Sequence, residues 1–401
     1  MRRRAEITKN AEMRLKAGHS WVFRSDVAFV DASAKPGDVL DIYGIKKNFL
    51  GRGYFNPQSQ ITIRLLTKSN EEIDRAFFFK KLSTAWELRR KTVETSSCRV
   101  VFAESDLLPA LIVDKFEDIL VVQTLALGID KFKETITDVL LEIFSPTAIF
   151  ERNDAPVREL EGLPLQKGYL WRKKENDNDN DNDNNDGKIT INENGIKFLV
   201  DYVNGQKTGY FLDQRENRAA LRHYVSNARV LDCFSYIGSF ALHAARYGAS
   251  SVTGLDISSE AVRIATENAS QNGFSDICRF ECTNVFDKLR ELAAAKETYD
   301  VIILDPPAFT KTRGALEGAT RGYKEINLRA MKLLRSGGFL ITCSCSQHIS
   351  PSFFLEIIKD AAADTGKTVR IIESRGQAKD HPVLVSSPET NYLKCMILQV
   401  L

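Results

Sequence analysis

The sequence predicts an α/β chain whose C-terminal half is a parallel, doubly wound sheet, preceded by a small β-barrel and a small α+β domain. Three observations predict it. Apolar strands alternate with helices from about residue 192 to the end, which argues for a parallel sheet covered on both faces. Short strands separated by turn residues fill the first 72 residues. A chain of 401 residues exceeds what one core usually organises, so two or three domains are expected.

Residues 1 to 72 hold the strands "WVFRSDVAFVD", "KPGDVLDIYG", "FLGRGYF" and "QITIRLLT", with "KPGD" and "NPQS" as turns. Residues 73 to 174 begin with a helix in "AFFFKKLSTAWELRRKT". Strands follow in "CRVVFAESD", "PALIVDKFED" and "ILVVQTLA", and then the helix "GIDKFKETITDVLLEIF". Residues 175 to 190 are a low-complexity Asp/Asn tract that has too little apolar surface to bury, and they read as a linker. Within and after it, Asn182, Asn184, Asp186, Gly187, Ile189 and Glu193 mimic the spacing of a calcium loop. Asn occupies the first position and a strand follows instead of a helix. The match is read as accidental, and no metal site is expected.

Residues 191 to 401 carry five strands in the order "ARVLDCFSYIG", "SVTGLDIS", "CRFECTNVF", "YDVIILDPP" and "FLITCSCS". Helices fall in "SFALHAARYG", "SSEAVRIATENASQNG" and "YKEINLRAMKLLRSGG". "TVRIIES" and "NYLKCMILQV" are expected to pair at an edge, making the sheet mixed.

Composition narrows the class. Hydrophobic residues at 43% and charged residues at 27% are ordinary for a soluble globular protein. The basic start has no apolar run behind it, and no segment is long and apolar enough for a membrane span. A cytoplasmic protein with no membrane partner is expected. Seven cysteines, an odd number, fit reduced thiols better than a disulfide framework. A net charge of +2 does not by itself announce a nucleic-acid binder. Residues 1 to 75, however, hold fourteen Lys/Arg against nine Asp/Glu, an excess of five that suits a phosphate backbone as well as a solvated surface.

Ligands of such a sheet sit beyond the carboxyl ends of its strands. The first strand ends in "LDCFSYIGS", with one glycine where a dinucleotide would require Gly-x-Gly-x-x-Gly. S-adenosylmethionine has no phosphate and makes no such demand. Asp232 is placed to accept from its amino group, and Gly238 to let the chain pass close. Asp256, eighteen residues after Gly238, is placed to accept from the ribose hydroxyls, and Asn284 from the adenine amino group. Phe234, Ser235, Ile257, Val285 and Pro306 lie on the same strand-end turns and complete the candidate set. One strand-end Asp would read as a helix cap; polar residues at three successive strand ends favour a ligand. "LDPPAF" ends the fourth strand, where Asp305 and Pro306 form a rigid turn that cannot rejoin a ladder.

Cys343 and Cys345 share parity on the fifth strand. Cys343 still lies in the apolar run and is read as packing. Cys345 lies past it, at the rim near Asp305. A metal site would need further soft ligands, and only Cys233 is near. A thiolate beside a methyl donor has a specific use: added to C6 of cytosine, it makes C5 nucleophilic. The thiol must ionise from about 8.5, so a nearby cation helps. Lys324 and Arg321 in "ATRGYK" are the candidates, weighed against a solvated helix start.

Taken together, "VDYVNGQKTGYFLDQRENR", "LDCFSYIGSFALHAA", "LDPPAFTKTRGALEGATRGYK" and "SCS" resemble the RlmI-type family of ribosomal RNA cytosine-C5 methyltransferases, as do "HSWVF" and "ERNDAPVRELEGL". The resemblance covers nearly the whole chain. It implies an N-terminal PUA-like RNA-binding barrel, a central α+β domain and a class I, Rossmann-like methyltransferase domain. It also implies S-adenosylmethionine as cofactor, 23S rRNA as partner, no DNA, and Cys345 as nucleophile. "GQKTGYFLDQR" would form a hairpin over the methionine end of the cofactor, with Thr208, Phe211, Asp213 and Arg215 as contacts. Two features depart from the family: the Asp/Asn tract, and Asn284 where Asp is favoured. Many RNA cytosine-C5 methyltransferases also carry a second cysteine after the fourth-strand proline, where this chain has Pro307 and Ala308. The base that removes the C5 proton is therefore unassigned, with Asp305, through water, or Lys324 as candidates. A base-nitrogen methyltransferase acting on guanine, or a non-catalytic assembly factor, are the alternatives. A homodimer is carried as an option that the sequence does not decide.

Overall fold

The strands of the C-terminal half form one seven-stranded sheet in the computed structural model, which describes residues 3–173, 187–309 and 313–401. The sheet holds β1 (Arg229–Cys233), β2 (Ser251–Asp256), β3 (Cys278–Cys282), β4 (Tyr299–Leu304), β5 (Leu334–Ser344), β6 (Val369–Arg375) and β7 (Lys394–Val400). Its order is β3-β2-β1-β4-β5-β7-β6. The first five strands are mutually parallel. β7 runs antiparallel to both β5 and β6, so the expected edge pair makes the sheet mixed. The order reverses between β1 and β4, and the carboxyl ends of these two strands frame the switch point where such sheets bind ligands.

The helices are α1 (Ser239–Arg246), α2 (Ser259–Gln271), α3 (Val285–Ala294), α4 (Leu316–Leu333) and α5 (Pro351–Thr365). Each of α2, α3 and α5 starts on a side-chain cap. Ser258 accepts from Ala261 N, Asn284 from Phe286 N, and Ser350 from Phe353 N. α4 starts seven residues before the expected Tyr323 and stops at Leu333. The "RSGG" segment, read as the end of that helix, instead belongs to β5. One apolar core under β1, β4, β5 and β7 holds Leu231, Ile302, Leu340 and Leu398, packed against Tyr323 and Ile326 of α4 and Phe354 of α5.

The chain divides into two units. This sheet belongs to the one comprising residues 192–199, 213–378 and 391–401. The other comprises residues 1–191, 200–212 and 379–390. It holds a six-stranded sheet, in the order 21–23, 61–67, 49–55, 39–43, 4–7 and 27–30, and a five-stranded sheet of residues 166–172, 148–153, 119–124, 111–116 and 97–102. Elements here not expected from sequence include the strand Arg4–Ile7, the helix Lys9–Lys16 and the strands Ala148–Asn153 and Gln166–Arg172. The helix Arg75–Thr92 begins on Asp74, which accepts from Phe77 N, and buries Phe77, Phe78 and Leu82. Its Arg89 is fully buried, and both its terminal nitrogens reach the Asp106 carboxylate. Among the described residues, no helix is long and apolar enough to cross a membrane.

Asn182, Asn184 and Asp186 of the calcium-like spacing lie outside the described residues. Its last member, Glu193, is buried and bound by Arg218 through two N–H donors, at 2.6 and 2.9 Å. The Glu193 carboxylate is thus committed to that guanidinium. Among the described residues, no cluster of three His, Cys, Asp or Glu is arranged to hold a metal.

Candidate active site

The turn after β1 is built by backbone conformation. Phe234, Tyr236 and Gly238 all have positive φ, at 66°, 49° and 81°. Two non-glycine residues in the left-handed region cost about 1–2 kcal/mol each, which marks a loop held for a purpose. At Gly238 a Cβ would lie 2.9 Å from both Leu242 Cδ1 and Phe280 Cζ, so space and conformation alike call for glycine.

Asp232 sits fully buried beneath this turn. Its Oδ2 accepts from Ser235 Oγ at 2.6 Å and Ala241 N at 3.0 Å. Its Oδ1 is buried and has no partner among the described residues. Burial outweighs these hydrogen bonds and pushes the carboxyl up to about 7. At the end of β2, Asp256 accepts from Tyr236 N at 2.8 Å and from Ser258 N at 2.9 Å, so it supports the turn. Ile257 beside it is 73% exposed, an apolar surface open to a flat ring.

The turn after β4 carries Asp305. Its Oδ1 accepts from Gln214 Nε2 at 2.9 Å. Burial raises this carboxyl to about 7, and the charges of Asp213 and Asp232 add to the effect while Arg218 opposes it. Asp213 is itself buried and accepts from the Tyr392 hydroxyl. Three carboxylates therefore share one poorly solvated region. S-adenosylmethionine, with a sulfonium and an ammonium, fits that charge, and its amino group fits the unpartnered Oδ1 of Asp232.

β5 delivers the cysteines. Cys343 is buried opposite Cys395 of β7, and its thiol lies well above the ordinary range because of its hydrogen bond with Cys395 and burial. Cys345, one residue past the strand, is half-buried, with Sγ 4.0 Å from Pro306 O. The structure thus brings Cys345 to the Asp305-Pro306 turn and leaves Cys343 as packing. Cys233 is buried, and burial together with Asp232 pushes its thiol well up, which disfavours the thiolate that a ligand or nucleophile needs.

Several sequence expectations are corrected. Lys324 does not serve Cys345: its Nζ lies 2.8 Å from Asp364 on the solvent side of α4 and α5, and that pairing raises its pKa and keeps it an ammonium. Arg321 pairs with Glu317 in solvent. Asn284 is exposed, and its Oδ1 is occupied as the cap of α3. The helix-cap reading wins at that strand end. The Val285 side chain lies in the core, leaving only its backbone to face a ligand. Arg215 turns toward Glu193, 3.7 Å away. Residues 202–211 form turns instead of a hairpin. The expectation for Thr208 and Phe211 stands as a proposal; within their own unit, buried Thr208 donates to Asp114 at 2.6 Å and Lys207 lies 4.8 Å from the Phe211 ring.

The sequence reading missed Gln214, Tyr392, Phe309 and Lys394. Phe309 packs 4.6 Å from Tyr323 and lies 6.3 Å from Phe234, joining the β1 and β4 turns by aromatic contact. A "PPAF" phenylalanine beside the turn was the available signal. Lys394 had none: its place next to Cys345 follows only from the register Ser344↔Lys394.

Residues 179–384 match the model of an S-adenosylmethionine-dependent methyltransferase family, and residues 6–68 match that of a PUA-like domain. A protein of Alteromonas mediterranea is 38% identical over 96% of both chains, and one of Aliivibrio fischeri 40% identical over 97% of both; each is named Ribosomal RNA large subunit methyltransferase I. A methyltransferase structure complexed with SAH superposes with a TM-score of 0.84 at 20% identity, covering 99% of this chain and 100% of the other, a likeness of fold. With the carboxylate-lined switch point and these two matches in view, the chain belongs to the S-adenosylmethionine-dependent methyltransferase family, in the group whose curated members are named Ribosomal RNA large subunit methyltransferase I.

Proposed function

We propose that this protein forms 5-methylcytosine in 23S rRNA, with Cys345 as covalent nucleophile. The observation that carries the reading is the Cys345 thiol beside the Asp305-Pro306 turn, 4.0 Å from Pro306 O. Asp232, Gly238, Asp256 and Ile257 would hold S-adenosylmethionine, with Phe234, Ser235 and Pro306 shaping its turns. Asp213 sets the charge of the site beside Asp305. When bound, the cofactor supplies an electrophilic methyl group.

The residues divide the work as follows. The Cys345 thiolate adds to C6 of the target cytosine, and the C5=C6 π electrons shift to make C5 nucleophilic. After methylation, Asp305 takes the C5 proton, directly or through water. The C5–H electron pair re-forms the double bond and expels the Cys345 thiolate. A carboxyl near 7 can accept that proton at neutral pH. The PUA-like domain, with the basic excess of residues 1 to 75, supports RNA as the partner. We place the protein in the cytoplasm with that substrate, and sedimentation of the purified chain decides whether it dimerises.

The test is an RNA fragment carrying 5-fluorocytidine, which lacks a removable C5 proton. A denaturant-stable adduct formed by wild type and absent in Cys345→Ala supports the reading. Full methylation by Cys345→Ala would sink the covalent mechanism and favour a base-nitrogen substrate. No binding of S-adenosylmethionine would point to a non-catalytic rRNA-binding factor.

A further inference from the structure

Lys394 is 4% exposed at the start of β7. A buried ammonium normally has a carboxylate partner. Lys394 has none among the described residues. Its Nζ donates instead to two backbone carbonyls, Ser346 O at 2.7 Å and Tyr392 O at 2.8 Å. The first belongs to the residue directly after Cys345. The second belongs to the residue whose hydroxyl holds Asp213. The ammonium therefore ties the Cys345 loop to the segment leading into β7, whose Tyr392 reaches Asp213.

The surrounding titratable groups are few. Tyr323 of α4 donates to or accepts from Ser346 Oγ at 3.0 Å and lies above its ordinary range, chiefly through burial. Cys395, the next residue on β7, pairs in register with Cys343. On β6, Arg375 and Glu373 pair with each other. Burial lowers Lys394 to about 8, and among the described residues Cys345 is the ionisable group whose charge opposes that shift. An ammonium that costs energy to bury, and that has a thiol as its charge partner among the described residues, has a reason to be there when that thiol is ionised.

We infer that Lys394 is the positioning residue for Cys345: its ammonium is the counter-charge of the Cys345 thiolate and anchors the loop that carries it. The thiol proton leaves to solvent, the electron pair stays on sulfur, and the lysine keeps its own proton throughout. This assigns to Lys394 the cationic role for which the sequence offered Lys324. The inference rests on Cys345 being the nucleophile.

The test reads the thiol itself. Carbamidomethylation of Cys345 by iodoacetamide is followed against pH by peptide mass spectrometry, which separates it from exposed Cys282. Lys394→Met is expected to move the half-reaction pH upward by roughly one unit, about tenfold slower labelling near pH 7, with Lys394→Arg restoring most of it. An unchanged profile in folded Lys394→Met would overturn the inference. If that variant does not fold, Cys345→Ser provides the reciprocal measurement. The Lys394 side chain, followed by carbon NMR, should titrate at lower pH once the thiolate is gone, and an unmoved titration overturns the inference equally. An absent 5-fluorocytidine adduct in wild type would sink the function reading and, with it, the premise of this inference. An unaltered thiol profile sinks this one alone.

Discussion

Gln214 Nε2 donates to Asp305 Oδ1 at 2.9 Å, and Gln214 Oε1 in turn accepts from Asn217 Nδ2 at 2.7 Å. The amide is thereby fixed in one orientation, with its donor aimed at the carboxylate. This hydrogen bond favours the charged form of Asp305 against the burial that raises it. Gln214→Leu removes the donor and leaves the carboxylate less supported. A lost hydrogen bond to a charged group costs about 1.5–3 kcal/mol, so kcat/KM should fall roughly 10- to 100-fold at pH 7. The acidic limb of the pH–rate profile should move to higher pH. A fall in rate with an unmoved limb would show that Gln214 acts by packing alone.

Cofactor affinity should depend on pH through Asp232 and Asp305. Burial places both carboxyls at about 7, so both are largely protonated at pH 6 and charged at pH 8. A ligand bearing two positive groups binds the charged site better. The dissociation constant of S-adenosylmethionine should therefore fall as pH rises from 6 to 8. The protein without ligand should show the opposite trend. Because the folded pKa values exceed the unfolded ones, these groups favour the folded state at low pH, and that contribution is lost as pH rises from about 4 through about 7. Calorimetric titration at three pH values, with thermal melts alongside, checks both trends. Asp232→Asn should flatten each of them.

The sequence showed the sheet more readily than the site. Its central parallel strands β1 and β4 are buried on both faces and read as apolar runs, while the neighbouring helices carry amphipathic stripes, so period alone located them. The short α3 escaped notice because its cap, Asn284, was read as a ligand residue; the same amide oxygen suits either role, and only the Phe286 N contact decides. Cys345 was distinguished from Cys343 by its position past the strand, a local feature. Lys394 could not be found locally. Its neighbour lies some fifty residues earlier, and antiparallel register brings the two together. The choice of Lys324 failed because Asp364, a helix away, offered its ammonium a closer partner.

Gly238 gives a prediction that couples fold to cofactor. At φ 81° any other residue pays about 1–2 kcal/mol for the backbone, and an alanine Cβ would also press on Leu242 and Phe280 at 2.9 Å. Gly238→Ala should lower the melting temperature by roughly 3–8 °C. It should weaken S-adenosylmethionine more than it slows labelling of Cys345, since the thiol lies on a different strand end. Unchanged affinity would remove the β1 turn from the cofactor site.

Glu193 and Arg218 provide the last test, on the scaffold behind the carboxylates. The pair is bidentate and buried, with His243 Nε2 3.6 Å from the same carboxylate. Burial alone would raise Glu193, but Arg218 and then His243 and Arg215 hold it below the ordinary range. Burial keeps His243 mostly neutral, with its pKa near 4. Removing one partner of such a pair strands the other charge, so Glu193→Leu should cost about 3–5 kcal/mol. The depressed pKa sets the pH window. The pair's contribution is full above the unfolded carboxylate value of about 4.3 and is lost as pH falls through the lower folded value. Wild type should therefore lose stability below about pH 4.5, more steeply than Glu193→Gln. The Arg218 charge also opposes protonation of Asp232 and Asp305. Arg218→Met should accordingly weaken cofactor binding at pH 7 and recover part of it at pH 8.5, whereas a purely structural loss would be the same at both.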